Sequence, residues 1–147
     1  ELFQEGLLEV LPIAEELGVH LLIEPEPELL IENSNQFVKF IEKFNSKYLG
    51  LNFDIGHFVC VGEDPQKLII NLQDYIKHIH LEDIASSKKH HHLIPGHGMI
   101  NFKEIFASLN SINYTGYVTV ELYPYQDNPQ DAAIESMTYL KSLIENV

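Results

Sequence analysis

Short apolar runs alternate with helix-like stretches along this chain. The runs predict buried strands near residues 19–24, 49–54, 76–81 and 117–122. Around them, apolar residues recur every three or four positions, which is typical of helices that bury one face. Gly18 is a stop signal for the first helix, and Asp64-Pro65 is a start signal for a later one. The predicted order is therefore one helix followed by four strand–helix units.

Alternating strands and helices indicate an α/β fold with a parallel sheet and right-handed crossovers. An open doubly wound sheet and a (β/α) barrel both fit this order. No glycine-rich turn follows a strand to hold a nucleotide phosphate, which counts against the open sheet. A complete barrel takes about 250 residues, so this chain supplies roughly four of eight units. We therefore predict a single domain over residues 1–147, a partial TIM barrel equivalent to the C-terminal half.

Four parallel strands on their own leave two bare edges and an open inner face. We therefore expect an N-terminal barrel half, or a homo-oligomer, to cover them.

Each predicted strand ends on a residue that can bind a divalent metal: Glu24, Asp54, His80 and Glu121. Barrels of this type place such residues together at the C-terminal rim of their strands. Three clustered carboxylates repel one another unless a cation joins them. An oxygen-rich set with one imidazole suits Mn²⁺, Co²⁺ or Mg²⁺, and further histidines would favour Zn²⁺. A single acidic residue after a strand is usually a helix cap or solvated, so the prediction depends on all four being in register.

More histidines follow the strands. His57 comes three residues after Asp54, and we expect a loop starting at Gly56 to turn it back towards the same pocket. His90 and His92 flank His91 and can face one side of an extended segment. We predict that His57, His90 and His92 bind substrate, with a further metal or a phosphate as alternatives for His90 and His92. His91 is expected to be solvated.

The charge balance narrows the choice of partners. The chain has 9 Lys plus Arg against 22 Asp plus Glu, a formal net charge of −13. Such an acidic surface argues against binding to nucleic acid or to anionic membranes. The single cysteine, Cys60, excludes an intrachain disulfide, and its apolar neighbours indicate an inert thiol. No run reaches membrane-spanning length, so we expect a cytoplasmic protein.

Several segments together resemble the xylose isomerase-like TIM barrels. This superfamily contains sugar and sugar-phosphate isomerases and epimerases, inosose dehydratases and endonuclease IV enzymes. The resemblance covers essentially the whole chain but only the second half of the family's barrel. The segments are Glu24 after a strand, Asp54-x-x-His57, residues 78–83 (HIHLED), residues 95–102 (PGHGMINF) and residues 117–122 (YVTVEL).

The resemblance implies a divalent-metal-dependent isomerase or epimerase of a sugar, sugar phosphate or related polyol-carbonyl compound. In that case Glu24 and Glu121 exchange the proton of a substrate carbon through an enediolate. One divalent metal, held by Glu24, Asp54, His80 and Glu121, polarises the neighbouring carbonyl. The chain departs from the ketohexose epimerases in the loop after the third strand, where their arginine is absent and the sequence reads ASSKK (85–89).

Two other functions stay open. The first is an endonuclease IV-like zinc phosphodiesterase acting on DNA, whose loop binds additional zinc through an Asp-x-His element. Here the matching positions are His90 and His92, so a second metal contacted by His57, His90 and His92 is an alternative. The scarcity of basic residues argues against DNA binding. The second is a non-catalytic metal-binding barrel module, because a fold does not fix a function.

Overall fold

A computed structural model describes residues 1–144, and within them four parallel strands form one sheet in the order β1-β2-β3-β4. The strands are β1 (Leu21–Ile23), β2 (Leu49–Asp54), β3 (Ile76–Leu81) and β4 (Val118–Val120). The helices are α1 (Leu2–Leu17), α2 (Ser34–Ile41), α3 (Ile55–Cys60), α4 (Pro65–Asn71), α5 (Phe102–Ser111) and α6 (Pro129–Ile144). The strands lie where the sequence pattern predicts them. None of the helices over residues 1–144 is long and apolar enough to cross a membrane.

The two outer strands are shorter than the runs at 19–24 and 117–122. In the described sheet each has a neighbour on one side only: Leu21–Ile23 pair with residues 49–51 of β2, and Val118–Val120 pair with residues 79–81 of β3. Glu24 and Glu121 consequently follow the strands rather than end them. The Glu121 N–H still donates to the Leu81 carbonyl at 3.1 Å, which keeps this residue at the rim of the sheet.

The core lies between the sheet and the helices. Leu51 and Phe53 of β2 and Ile79 and Leu81 of β3 are fully buried against helix residues such as Phe102. Burying a side chain of this size stabilises the fold by roughly 1.5–3 kcal/mol. Because neighbouring strand residues point to opposite faces, these apolar positions direct the intervening residues of β2 and β3 to the other face.

The segment after β2 is a helix, so the expected loop around His57 is wrong. Asp54 caps this helix, α3, by accepting the His57 N–H on Oδ1 at 2.8 Å. Gly56 is needed for space, because a β-carbon there would overlap the carboxylate of Glu82. His57 is therefore fixed in the first turn of a buried helix.

The long segment between β3 and α5 is anchored by one carboxylate. Asp83 is buried and accepts four backbone N–H groups at 2.8–3.0 Å, those of Ile84, Gly96, Gly98 and Ile100. Four such bonds satisfy the charge of a buried carboxylate and restrict the backbone that supplies them. The anchor fixes the course of residues 84–100, which include His90 and His92.

Candidate metal centre

The four predicted metal ligands converge. One donor atom from each of Glu24, Asp54, His80 and Glu121 lies within 4.8 Å of the others. His80 Nδ1–H donates to Glu24 Oε1 at 2.8 Å and lies 3.4 Å from Glu121 Oε2. Asp54 is fully buried, while the other three side chains are partly exposed. The cluster is therefore closed around Asp54 and open beside Glu24, His80 and Glu121.

Without a metal, Glu24 and His80 form an ion pair. Burial on its own would raise the pKa of Glu24, but the hydrogen bond and the charge of His80 outweigh it, so this pKa lies below its ordinary value. The same hydrogen bond raises the pKa of His80 against the opposing effect of burial. Each partner thus stabilises the charged form of the other.

Asp54 gives the local evidence that a cation fits. Its Oδ1 accepts the His57 N–H, but its buried Oδ2 has no hydrogen-bond donor among the described residues. Loss of solvent raises the pKa of Asp54 to about 7, and the charges of Glu24 and Glu121 add to this effect. A divalent cation would satisfy the free oxygen and neutralise the repulsion. Three carboxylates and one imidazole are suitable ligands for such an ion.

A further carboxylate, Glu82, was missed by the sequence reasoning. It is fully buried beside Asp54, and neither of its oxygens has a hydrogen-bond partner of acceptable geometry among residues 1–144. Two carboxyl groups can share a hydrogen bond only when one carries a proton. Burial, with the Asp54 charge added, raises the pKa of Glu82 well above its ordinary value, so the proton is retained on this pair. The missed signal is spacing, because Glu82 follows His78 and His80 at two-residue intervals on one face.

The three predicted substrate-binding histidines form a second cluster. Ligand atoms of His57, His90 and His92 lie within 4.8 Å of one another. His57 Nδ1–H donates to the Pro25 carbonyl at 3.0 Å, and His92 Nδ1–H donates to the Glu121 carbonyl at 2.9 Å. Burial lowers the pKa of His57 to about 4 and also lowers that of His92. Both imidazoles are therefore neutral near pH 7. Their Nε2 atoms carry the lone pair that can accept a hydrogen bond or bind a metal, and Nε2 of His92 faces Nε2 of His90 at 3.3 Å.

Other candidates lie outside these clusters. His91 is exposed, as expected for a solvated residue. Burial raises the pKa of the Cys60 thiol to about 11, which agrees with an inert cysteine. His78 occupies the same sheet face as His80, and its Nε2 lies 2.9 Å from Thr119 Oγ1.

Comparison with known proteins identifies the fold. The model of a family described as xylose isomerase-like TIM barrel matches residues 1–143. The inosose dehydratase of Clostridium perfringens (strain ATCC 13124) is 30% identical over 155 aligned residues, which cover 93% of this chain and 52% of the relative. The solved structure of a D-tagatose 3-epimerase-like protein is 30% identical with a TM-score of 0.85, and covers 98% of this chain and 54% of that one.

A more distant structure shows the same fold with a metal. The IolI protein with a bound zinc atom is 21% identical, with a TM-score of 0.77 over 97% of this chain and 55% of that one. This chain spans about half the length of the curated relatives it matches. The fold and the likeness to sugar-modifying enzymes are thus established, and the four parallel strands are those of half a barrel.

Proposed function

This chain belongs to the xylose isomerase-like TIM barrel family, and we propose that it supplies the metal-binding half of a sugar isomerase or epimerase. The substrate would be a sugar, sugar phosphate or related polyhydroxylated carbonyl compound, bound with one divalent metal. The observation that supports this proposal is the convergence of Glu24, Asp54, His80 and Glu121. The names of the relatives, an inosose dehydratase and a D-tagatose 3-epimerase-like protein, favour the same substrate class.

The two glutamates are the proposed acid–base pair. Both lie beside one imidazole, at 2.8 Å and 3.4 Å from His80 Nδ1, so both would be within reach of a substrate bound at this centre. The lowered pKa of Glu24 keeps its carboxylate ionised near pH 7, ready to accept the proton next to the carbonyl. The enediolate that remains takes a proton back from Glu121, or from Glu24 itself. A proton from Glu121 on the opposite face inverts the configuration of that carbon, which is epimerisation. A proton returned by Glu24 to the neighbouring carbon moves the carbonyl group, which is isomerisation.

The metal would be held by Glu24, Asp54, His80 and Glu121, and it would stabilise the negative charge that develops on the carbonyl oxygen. Mn²⁺, Co²⁺ or Mg²⁺ suits three carboxylates and one imidazole, and Zn²⁺ is the alternative. Substrate hydroxyls would be bound by His57, His90 and His92, whose Nε2 atoms accept hydrogen bonds. The lowered pKa values of His57 and His92 keep these two rings neutral near pH 7, which leaves a lone pair available on each.

Dehydration is a second outcome of the same first step. An enediolate can expel a hydroxyl group from the next carbon instead of recovering its proton. The 30% identity to an inosose dehydratase favours this branch. The leaving hydroxide needs a proton, and Glu121 would supply it.

A zinc phosphodiesterase acting on DNA is the remaining catalytic candidate. It is favoured by the second cluster, where Nε2 of His90 and Nε2 of His92 lie 3.3 Å apart and could share a second metal with His57. It is opposed by the formal net charge of −13. A non-catalytic metal-binding module is the third alternative. It would bind the metal but would show no catalytic turnover of any substrate.

Metal content is the first test. Mass spectrometry on chelator-free protein should find about one Mn, Co or Mg per chain. Two or more zinc ions per chain would support the phosphodiesterase, and no metal after soaking would contradict the proposed centre. A panel of ketoses and inososes in D₂O then separates the outcomes. Deuterium next to the carbonyl of recovered sugar indicates epimerisation, and loss of water indicates dehydration.

A further inference from the structure

We propose that Lys88, Lys89 and His90 form a subsite for the anionic end of the substrate, a phosphate or carboxylate group. This inference rests on the proposed function, because it assigns the part of that substrate that lies furthest from the metal centre. The inference narrows the proposed substrate class, because it requires that the sugar carries a negatively charged group.

A polar cavity of about 600 Å³ adjoins the histidine cluster. His90 belongs to both, because it lines the cavity while its Nε2 lies 3.3 Å from Nε2 of His92. Its ring centroid is also 4.6 Å from that of His57. Small-molecule sites commonly have this size. A substrate that reaches from the metal centre past His57 and His92 would enter this cavity next.

The cavity contains an unpaired positive charge in an acidic protein. Among residues 1–144, Lys67 is the one lysine that forms an ion pair, with Asp64, so Lys88 and Lys89 share with the other described lysines the lack of a carboxylate within ion-pair distance. Both ammonium groups would attract an anion bound between them. Lys88-Lys89 is the one place in the sequence where two of the 9 basic residues are consecutive, against 22 acidic residues in all. It would select an anionic substrate and repel cations.

Carboxylates also line the cavity, and they do not cancel the two lysines. Glu32 accepts the N–H of Glu28 on Oε2 at 3.2 Å, so one of the two acidic side chains is engaged by the backbone of its own segment. Neither glutamate forms an ion pair with a cavity lysine within the described chain. The lysine side of the cavity therefore remains available to a bound anion.

The backbone on both sides of the cavity is strained. Lys88 has φ 56° and closes a turn in which its N–H donates to the Ala85 carbonyl at 2.9 Å. Glu28, which also lines the cavity, has φ 69°. Glycine adopts such angles without strain, whereas residues with a β-carbon do so at a cost. Strained residues of this kind cluster at ligand sites, where the surroundings hold them in place.

Anion binding by the full chain tests the subsite. Inorganic phosphate and acetate would be titrated separately by calorimetry, with and without Mn²⁺. The double variant Lys88→Gln/Lys89→Gln should weaken binding of the preferred anion at least tenfold. The matched control is Lys103→Gln/Lys141→Gln, which removes the same charge from α5 and α6 and should bind as the wild type does. Lys89→Arg in the wild-type background should retain binding.

The outcomes separate this inference from the proposed function. Tighter binding of phosphate identifies a sugar phosphate as the substrate type, and tighter binding of acetate identifies a sugar acid. Unchanged affinity in the double variant, or no binding of either anion, overturns the subsite. Binding that needs Mn²⁺ and ignores the lysines places the anion on the metal and also overturns it. If the wild-type protein binds no metal in the same samples, the proposed function is wrong, whereas the effect of the lysine substitutions on anion binding can still be interpreted.

Discussion

At the scale of single residues, the most informative feature is the buried pair of Asp54 and Glu82. One oxygen of each carboxyl group lies within 4.8 Å of the other, and among the described residues no hydrogen bond of acceptable geometry reaches Asp54 Oδ2 or either oxygen of Glu82. Asp54 also caps α3 and faces the other proposed ligands, so one side chain has a structural and a chemical task. The pair therefore links the stability of the metal-free chain to pH.

We expect the metal-free chain to lose stability as the pH rises from about 4 towards 7 and, through Glu82, beyond. Asp54, at about 7, and Glu82 have raised pKa values, so the folded chain holds protons that the unfolded chain releases, and stability falls as pH rises. His57 acts oppositely between its folded pKa of about 4 and its ordinary value of 6.5, which offsets the fall at lower pH. Each retained proton contributes a loss of about 1.4 kcal/mol per pH unit.

Urea unfolding at pH 5 and pH 8 measures this dependence, with Glu82→Gln as the variant. The amide of Gln cannot ionise and can donate to Asp54 Oδ2, so the variant should match the wild type at pH 5 and be more stable at pH 8. Equal losses of stability in both proteins would show that Glu82 does not hold the proton.

Glu121→Gln should abolish turnover while the fold is retained. The substitution removes one proposed acid–base group and one ligand, and Glu121 is partly exposed, so its loss leaves no buried cavity. We expect at least a hundredfold loss of turnover, the lower limit for removal of a general acid–base group. Kinetics and circular dichroism on the same preparation make the test, with Glu104→Gln as the surface control. Full activity in the Glu121 variant would refute the assignment.

The convergence of the four proposed ligands was predictable because strand ends, parity and residue type are all visible in the sequence. Glu24, Asp54, His80 and Glu121 are brought together as expected. Glu82 was not predicted, although it continues the parity of β3, because an acidic residue before a polar loop is usually solvated. The anchor formed by Asp83 was also not visible, since its four backbone donors come from residues 84–100 and depend on how that loop folds.

At the scale of elements, α3 decides where the site lies. This six-residue helix begins directly at the end of β2, so its cap is also a proposed ligand. The sequence contains Asp54-Ile55-Gly56, and glycine in that position predicts a loop rather than a helix. The close approach of Glu82 reverses this expectation, because only glycine leaves room for the carboxylate. The low helix propensity of Gly56 is therefore outweighed by the close packing of α3 against Glu82, which follows β3.

Gly56→Ala should destabilise the protein by about 1–3 kcal/mol, because the added methyl group overlaps a buried side chain that has nowhere to move. Gly6→Ala is the matched control. Gly6 also lies in a helix, α1, but an added β-carbon would meet nothing within 4 Å. There the substitution should stabilise the protein by up to about 1 kcal/mol through helix propensity. Denaturant unfolding compares the two, and similar effects would contradict the packing argument.

At the scale of the whole molecule, the described sheet has two unpaired edges. At the β4 edge, Tyr117, just before the strand, is 83% exposed, and Val118, its first residue, is 36% exposed. On the β1 side, α1 exposes several large apolar residues: Leu2, Leu8, Ile13 and Leu17. Apolar edges of this kind pair readily with other strands. They are the places where the sequence-based expectation of a second barrel half or a second copy would be met.

We expect this 147-residue chain, studied alone, to self-associate through these edges. Sedimentation velocity over a concentration series should show species larger than one chain. Val118→Lys puts a charge in the edge strand and should shift the distribution towards the monomer. Ala107→Lys, on the exposed surface of α5, is the control and should change nothing. A wild-type chain that is monomeric at all concentrations would contradict the expectation.

The ion pair between Glu24 and His80 has a consequence for how the centre would be loaded. Its proton occupies the space between two proposed ligands, at an N–O distance of 2.8 Å. Binding a metal ion would therefore be an exchange, with the cation entering and the proton leaving to the solvent. Protons and the metal ion then compete for the same ligands, so lowering the pH would release the metal and adding the metal would release protons. A weakly buffered solution of this protein should turn more acid at the moment the metal is added.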